Sequence, residues 1–177
     1  MKPTGVVRRI DDLGRIVIPK EIRRTLRIHE GDPLEIFTDR EGEVIFRKYN
    51  MAESNFENHA EEYAESLHQG LNCVALIANS DSVIAVAGIS KRKYVGKTIG
   101  TLVKQVMEGE GTGSGAINGQ EILADTEIPG SHYVISTVYH DNQPIGAIIL
   151  ISDNPITQAE ITSAKAAASF LQKQAAK

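Results

Sequence analysis

The sequence predicts an α+β protein in two units, on three observations. Short β-branched runs separated by turns bearing Gly and Asp fill the first fifty residues, around one brief cationic helix pattern. Two capping-box signatures, Ser54-Asn55-Phe56-Glu57 and Thr157-Gln158-Ala159-Glu160, open longer helical patterns. Between those two helices lie five apolar runs of strand length. A chain of 177 residues that is 41% hydrophobic and 24% charged is globular in composition and can form two small domains.

In the first unit, Val6 to Ile10 and Ile16 to Ile18 flank Asp11-Asp12-Leu13-Gly14. That pattern signals a hairpin, with Gly14 free to take the positive φ that a Cβ disfavours. Pro19 suits the first turn of a helix, where its missing N–H would be unpaired anyway. At about 100° per residue, Lys20, Arg23, Arg24 and Arg27 fall on one helical face. Ile22 and Leu26 fall on the other, toward a core. His29-Glu30-Gly31-Asp32-Pro33 is a turn. Leu34 to Thr38 reads as a third strand, Asp39-Arg40-Glu41-Gly42 as its hairpin turn, and Glu43 to Tyr49 as a fourth strand.

Charge separates the two units. Residues 1–28 carry eight Lys/Arg against three Asp/Glu, a local net of +5 in a chain of net −4. From residue 53 onward the balance is −6. A short basic helix alone reads as a solvated face. Here Arg8 and Arg9 on the first strand and Arg15 at the start of the second add cations from neighbouring elements. Arginine outnumbers lysine among them, and its planar fork matches phosphate and guanine bidentately. A basic pole on an acidic chain fits a surface for duplex DNA. Few aromatics (5%) and no Trp disfavour a stacking platform for single strands. Fifty residues with four short strands and two turns of helix cannot bury an adequate core, and neither disulfide nor metal is available to them. Association is therefore expected, as a dimer whose strands interleave.

The run G-V-V-R-R-I-D-D-L-G-R-I-V-I-P-K-E-I-R-R-T-L, followed by G-D-P-L-E-I-F and I-F-R-K-Y, resembles the AbrB-type DNA-binding domain of bacterial transition-state regulators. The resemblance spans Gly5 to Tyr49 and implies a dimeric swapped-hairpin β-barrel. By motif position it implies DNA contacts at Arg8, Arg15, Arg23 and Arg24; the charge reading adds Arg9, Lys20 and Arg27. Together with its second unit, the chain resembles a sporulation regulator of that family. This implies gene control in the developing forespore, with both activation and repression.

Residues 1–52 thus form the expected DNA-binding domain, 53–71 a linker helix that is also the first helix of the second domain, and 72–177 a regulatory and oligomerisation domain. The linker helix carries Phe56, Ala60, Tyr63 and Leu67 on one stripe and closes at Gly70. That stripe can cover the second domain's sheet or pair with a symmetry mate. Cys73 to Ala78 and Val83 to Ala87 form a hairpin. Tyr94 to Met107 reads as helix, weakened by Gly96 and Gly100. Gly109 to Gly119, with five glycines and no G-K-[ST] ending, reads as a mobile loop. Ile122 to Thr126, His132 to Tyr139 and Ile145 to Ile151 read as three further strands. The closing helix sets Ile161, Ala164, Ala168, Leu171 and Ala175 in a heptad-like seam toward the sheet or another subunit. Five strands between two helices, with a hairpin first and a hairpin last, resemble a GAF domain. The N-K-F-D-E signature of its cyclic-nucleotide branch is missing, so any small-molecule effector is unidentified.

Catalytic constellations are not found. The five histidines lack H-E-x-x-H spacing, and no G-x-S-x-G is present. His59 and His68 lie out of phase on one helix, and His132 and His140 stand about 27 Å apart along one strand at ~3.4 Å per residue. Cys73, the single cysteine, opens an apolar strand without neighbouring cations and reads as a buried inert thiol. A non-enzyme without cofactor or metal is expected. No apolar run is long enough to span a bilayer, no signal-peptide core opens the chain, and one cysteine suits a reducing compartment, so no membrane partner and a cytoplasmic, nucleoid-associated protein are expected. Two dimerising units allow either one dimer or a tetramer. The alternative is an antitoxin-type interaction module built on the same barrel. The strand-rich second half argues against the disordered toxin-wrapping tail such a module needs. A small-molecule sensor with residual DNA binding is the third option.

Overall fold

The computed structural model describes residues 5–38, 42–49, 51–109 and 111–175. The chain divides into two compact units, Met1–Asn50 and Met51–Lys177.

In the first unit, Pro19 caps helix α1 (Lys20–Thr25), its carbonyl accepting from the Arg23 N–H at 2.9 Å. The helix stops in a Schellman arrangement. The Ile28 N–H donates to the Arg23 carbonyl at 2.7 Å and the Arg27 N–H to the Arg24 carbonyl at 3.3 Å, with Arg27 at φ +52°. Strands β1 (Leu34–Thr38) and β2 (Val44–Lys48) pair antiparallel, Leu34 opposite Lys48 and Thr38 opposite Val44. Of the turn predicted between them, residues 39–41 lie outside the described residues.

The two strands predicted ahead of α1 do not form. Residues 5–11 and 15–19 have no ladder, although the turn between them is built. A lone two-stranded ribbon is marginal in water, and these segments find no third strand within one chain. The same shortage appears in the side chains. Val7, Ile10, Leu13, Ile16, Val17, Ile36, Val44 and Phe46 are all exposed, and every buried hydrophobic residue among those described lies at Phe56 or beyond. Leu26, expected to face a core, is 57% exposed, while Ile22 is half-buried.

The second unit closes its own core. Five strands, β3 (Val74–Asn79), β4 (Val83–Ala87), β5 (Thr112–Ala116), β6 (His132–His140) and β7 (Gln143–Ser152), pair antiparallel in the order β4-β3-β7-β6-β5. Helices α2 (Met51–Leu71) and α5 (Gln158–Ala175) cover one face, burying Phe56, Ala60, Ala64, Ala164 and Leu171 against Ile148 and Leu150. The apolar stripe of α2 therefore covers the sheet. On the other face, α4 (Thr101–Glu108) and the 117–128 segment bury Val103, Met107, Ile122 and Leu123 against Ile135 and Ile149.

Several predicted elements change in this unit. Helix α2 begins ahead of Ser54 and runs through Gly70, ending where Asn72 takes φ +51° with its N–H on the His68 carbonyl at 2.8 Å. Packing on the sheet carries the helix past the local stop signals. The helix predicted over Tyr94–Met107 splits into α3 (Lys91–Tyr94) and α4, parted by Gly96 at φ +81°. At Gly100 a Cβ would lie 2.3 Å from the Glu121 carbonyl oxygen, so this close approach requires glycine. The Gly-rich segment is not a mobile loop but the edge strand β5. Gly113 and Gly115 strip side chains from it where Val106 and Tyr133 press close. Ile122 to Thr126 forms only isolated bridges, Leu123 with Ile99 and with Thr126, because its apolar side chains plug the core instead of joining the sheet. The β6–β7 connection is a two-residue turn, Asp141-Asn142, with φ +47° and +63°, as a type I′ hairpin requires. The second capping box forms as predicted: the Glu160 carboxylate accepts from the Thr157 N–H at 3.0 Å, and the Thr157 hydroxyl accepts from the Ala159 N–H at 3.2 Å.

Candidate nucleic-acid interface

The turn that presents Arg15 is organised by a residue whose side chain the sequence reading gave no role. Asp11 Oδ1 accepts from the Arg15 N–H at 2.8 Å and the Leu13 N–H at 3.0 Å, while Oδ2 accepts from Arg15 Nε at 2.8 Å. The Asp11 N–H donates to the Arg15 carbonyl and the Gly14 N–H to the Asp11 carbonyl, both at 3.0 Å, with Gly14 at φ +74°. Asp11 is thus a positioning residue that fixes both the backbone and the guanidinium of Arg15. The available signal was an aspartate opening a turn with an arginine four residues on.

Those bonds hold the Asp11 carboxyl below the usual carboxylate range, chiefly the backbone N–H of Arg15 and next its side chain. A carboxyl lowered on folding contributes stability that is complete above its unfolded pKa and lost as pH falls through the lower folded value. The turn is therefore expected to loosen only in strong acid. Carbon chemical shifts of Asp11 followed through an acid titration check this; a midpoint at or above that of a free aspartate would contradict it.

Of the other cations, Arg8 donates through Nη1 to the Val7 carbonyl at 3.1 Å, and Arg9 stands exposed beside it on the unpaired segment. Lys20, Arg23 and Arg24 share one face of α1. Lys20 and Arg24 are exposed, whereas Arg23 is half-buried and its Nε lacks a hydrogen-bond partner. Arg27 departs from the predicted face, because α1 ends at Thr25 and Arg27 sits in the left-handed region. The site is rich in cationic donors, an arrangement suited to gripping anions.

Arginine at a position that ordinarily takes glycine costs conformational energy.

Elsewhere, burial pushes the Cys73 thiol up to about 11, so it stays protonated at neutral pH. Its backbone carbonyl lies 2.7 Å from His68 Nδ1. Among the described residues no group of three His, Cys, Asp or Glu side chains could hold a metal ion, and no helix is long and apolar enough to cross a membrane.

Comparison with known proteins accounts for both units. Residues 55–176 match the family described as stage V sporulation protein T C-terminal, transcription factor, and residues 7–54 match the family described as antidote-toxin recognition MazE, bacterial antitoxin. Stage V sporulation protein T of Bacillus subtilis (strain 168) is 45% identical over 177 residues, covering 98% of each chain. The transition state regulatory protein AbrB of the same organism is 59% identical over 49 residues, 28% of this chain and 50% of that one. The AbrB-type resemblance of the first unit thus holds. The GAF domain of an Acinetobacter phosphoenolpyruvate-protein phosphotransferase superposes with a TM-score of 0.58 at 13% identity, covering 71% of this chain and 88% of that one. The GAF-like fold expected for the second unit is therefore present.

Proposed function

The chain belongs to the stage V sporulation protein T family of transcription factors, and on that premise we propose that it binds duplex DNA sequence-specifically to activate and repress sporulation genes. The observation that carries this reading is a unit with a basic pole and no buried apolar residue among those described. Such a unit gains a core by interleaving with a second copy, and the arginine surface is then doubled across a twofold axis. Residues 1–52 act as the DNA-binding domain, 53–71 as a linker helix and 72–177 as the oligomerising and effector-sensing domain, giving a dimer through the first unit and a tetramer through both. Arg8, Arg15, Arg23 and Arg24 make the principal contacts, with Arg9, Lys20 and Arg27 supporting them. The protein works without catalysis, in the cytoplasm of the forespore and on the nucleoid.

A mobility-shift assay on fragments recovered by genome-wide binding tests this. Arg24→Ala and Arg23→Ala are each expected to weaken binding by ~1–3 kcal/mol, about five- to 150-fold. Binding equal to that of the parent in both variants would overturn the assignment. The match of residues 7–54 to the MazE antitoxins favours a second reading, a toxin-binding module. Against it, the chain beyond residue 50 forms a unit with its own core, where a toxin-wrapping tail would be disordered. Co-purification of a small toxin with the native protein would favour this second reading.

A further inference from the structure

The second unit carries an excess of acid, eight basic residues against fourteen acidic, yet four of the eight fall within seven positions: Lys91, Arg92, Lys93 and Lys97. The segment that bears them is pinned. Tyr94 is buried and its hydroxyl donates to the Glu127 carbonyl at 3.2 Å. The Gly96 N–H donates to the Val83 carbonyl at 2.8 Å, and the Val83 N–H to the Lys97 carbonyl at 2.9 Å, tying the segment to the edge strand β4.

Lys91 is neutralised by Glu61 and Glu65 of α2. Arg92, Lys93 and Lys97 are exposed and make no ion pair with any described carboxylate, although Lys93 Nζ stands 4.9 Å over the Tyr94 ring. Three uncompensated cations therefore sit on a rigid base. Their surroundings argue against a protein partner: protein–protein interface cores are depleted in Lys and enriched in apolar and aromatic side chains. Here Val95 is the one large exposed apolar side chain between positions 91 and 97, and Tyr94 is turned inward.

We propose that Arg92, Lys93 and Lys97 form a second, sequence-independent contact to the phosphate backbone of duplex DNA, separate from the arginine surface of the first unit. The physiological use of this contact rests on the DNA-binding reading above, because it adds affinity to a complex whose selectivity the first unit sets. Phosphate contacts fix position and strength without carrying sequence information.

Two measurements test it, both with Arg92→Gln/Lys93→Gln/Lys97→Gln. In the full chain, each neutralised phosphate contributes roughly 0.9 to the slope of log affinity against log salt. Between 50 and 200 mM salt the parent should lose roughly 40-fold more affinity than the variant for each engaged chain. The ratio of operator to arbitrary-sequence binding should stay constant. Residues 51–177 alone, which close their own core, should bind an arbitrary-sequence duplex weakly at low salt despite their net negative charge, and the variant should not. The charge-keeping Lys93→Arg/Lys97→Arg should bind like the parent, which separates lost charge from lost side-chain packing.

An unchanged salt slope, or failure of residues 51–177 to bind while the full chain binds, overturns the proposal and leaves the DNA-binding reading intact. Weak binding of an arbitrary-sequence duplex by residues 51–177, together with operator binding by the full chain that Arg23→Ala weakens, would support both contacts. Binding by residues 51–177 with no operator selectivity in the full-length protein overturns the DNA-binding reading and keeps this contact. A variant that changes sedimentation of the protein but not its DNA affinity assigns the patch to a protein interface and also overturns the proposal.

Discussion

The full-length chain carrying Ile36→Glu is expected to lose DNA binding while its second unit stays folded. In one chain Ile36 is 62% exposed. A polar substitution at such a site in a self-sufficient monomer would change stability by no more than about 0.5 kcal/mol. Yet Ile36 faces Phe46 across the β1–β2 pair, and Leu34 and Val44 lie on the same side, so one face of the ribbon has an apolar middle with Thr38 and Lys48 at its ends. In an interleaved dimer that face becomes core. Burying an isoleucine is worth about 1.5–3 kcal/mol per copy, and a buried unpaired carboxylate costs several more. Two copies weaken association on the order of a thousandfold or more. Analytical ultracentrifugation, with amide exchange in residues 5–49, reads the outcome. Parent-like assembly and DNA affinity would mean that the apolar face is solvent-exposed in the working protein.

The second large effect lies in the other unit. Phe56 is fully buried, and its ring crosses the sheet over Gly146, where any Cβ would stand 2.7 Å from the ring and 2.4 Å from the Ala78 carbonyl oxygen. Phe56→Ala removes the ring from a position whose backbone neighbours cannot move inward, and should cost about 3–5 kcal/mol. For a unit of this size that is a fall of roughly 10–20 °C in its melting temperature. Calorimetry on the full chain checks it, and a shift of only a degree or two would show that the helix–sheet contact contributes little. The transition of the first unit should not move.

These two sites also show how far the sequence could be read. The stripe Phe56, Ala60, Tyr63, Leu67 was legible because helical period and burial coincide, and the capping box at Thr157 was legible because its bonds are local. The hairpin at residues 6–18 was half legible. Its turn is written in Asp11 and Gly14, but the flanking segments find no ladder partner within one chain. Gly109–Gly119 misled because glycine ordinarily argues against strand; here β5 exists only because Val106 and Tyr133 need the space above it. Ile122 to Thr126 misled in the opposite way, since a short apolar run reports burial and not hydrogen bonding. In the candidate interface, the cation identities were plain in the sequence. The organising role of Asp11 and the loss of Arg27 from the helical face came only with backbone geometry.

The contrast between a first unit that closes no core and a second that does bears on how the molecule is made. Translation delivers the amino terminus first, and domains ordinarily fold in that order. If the first unit folds only as the interleaved dimer proposed above, it must wait after synthesis, its apolar side chains open to chaperones and proteases, until a second copy arrives. The second unit, made after the first, can close its own core at once. On that reading, order of synthesis and order of maturation run in opposite directions along the polypeptide, and the supply of DNA-binding heads would follow the encounter rate of newly made chains.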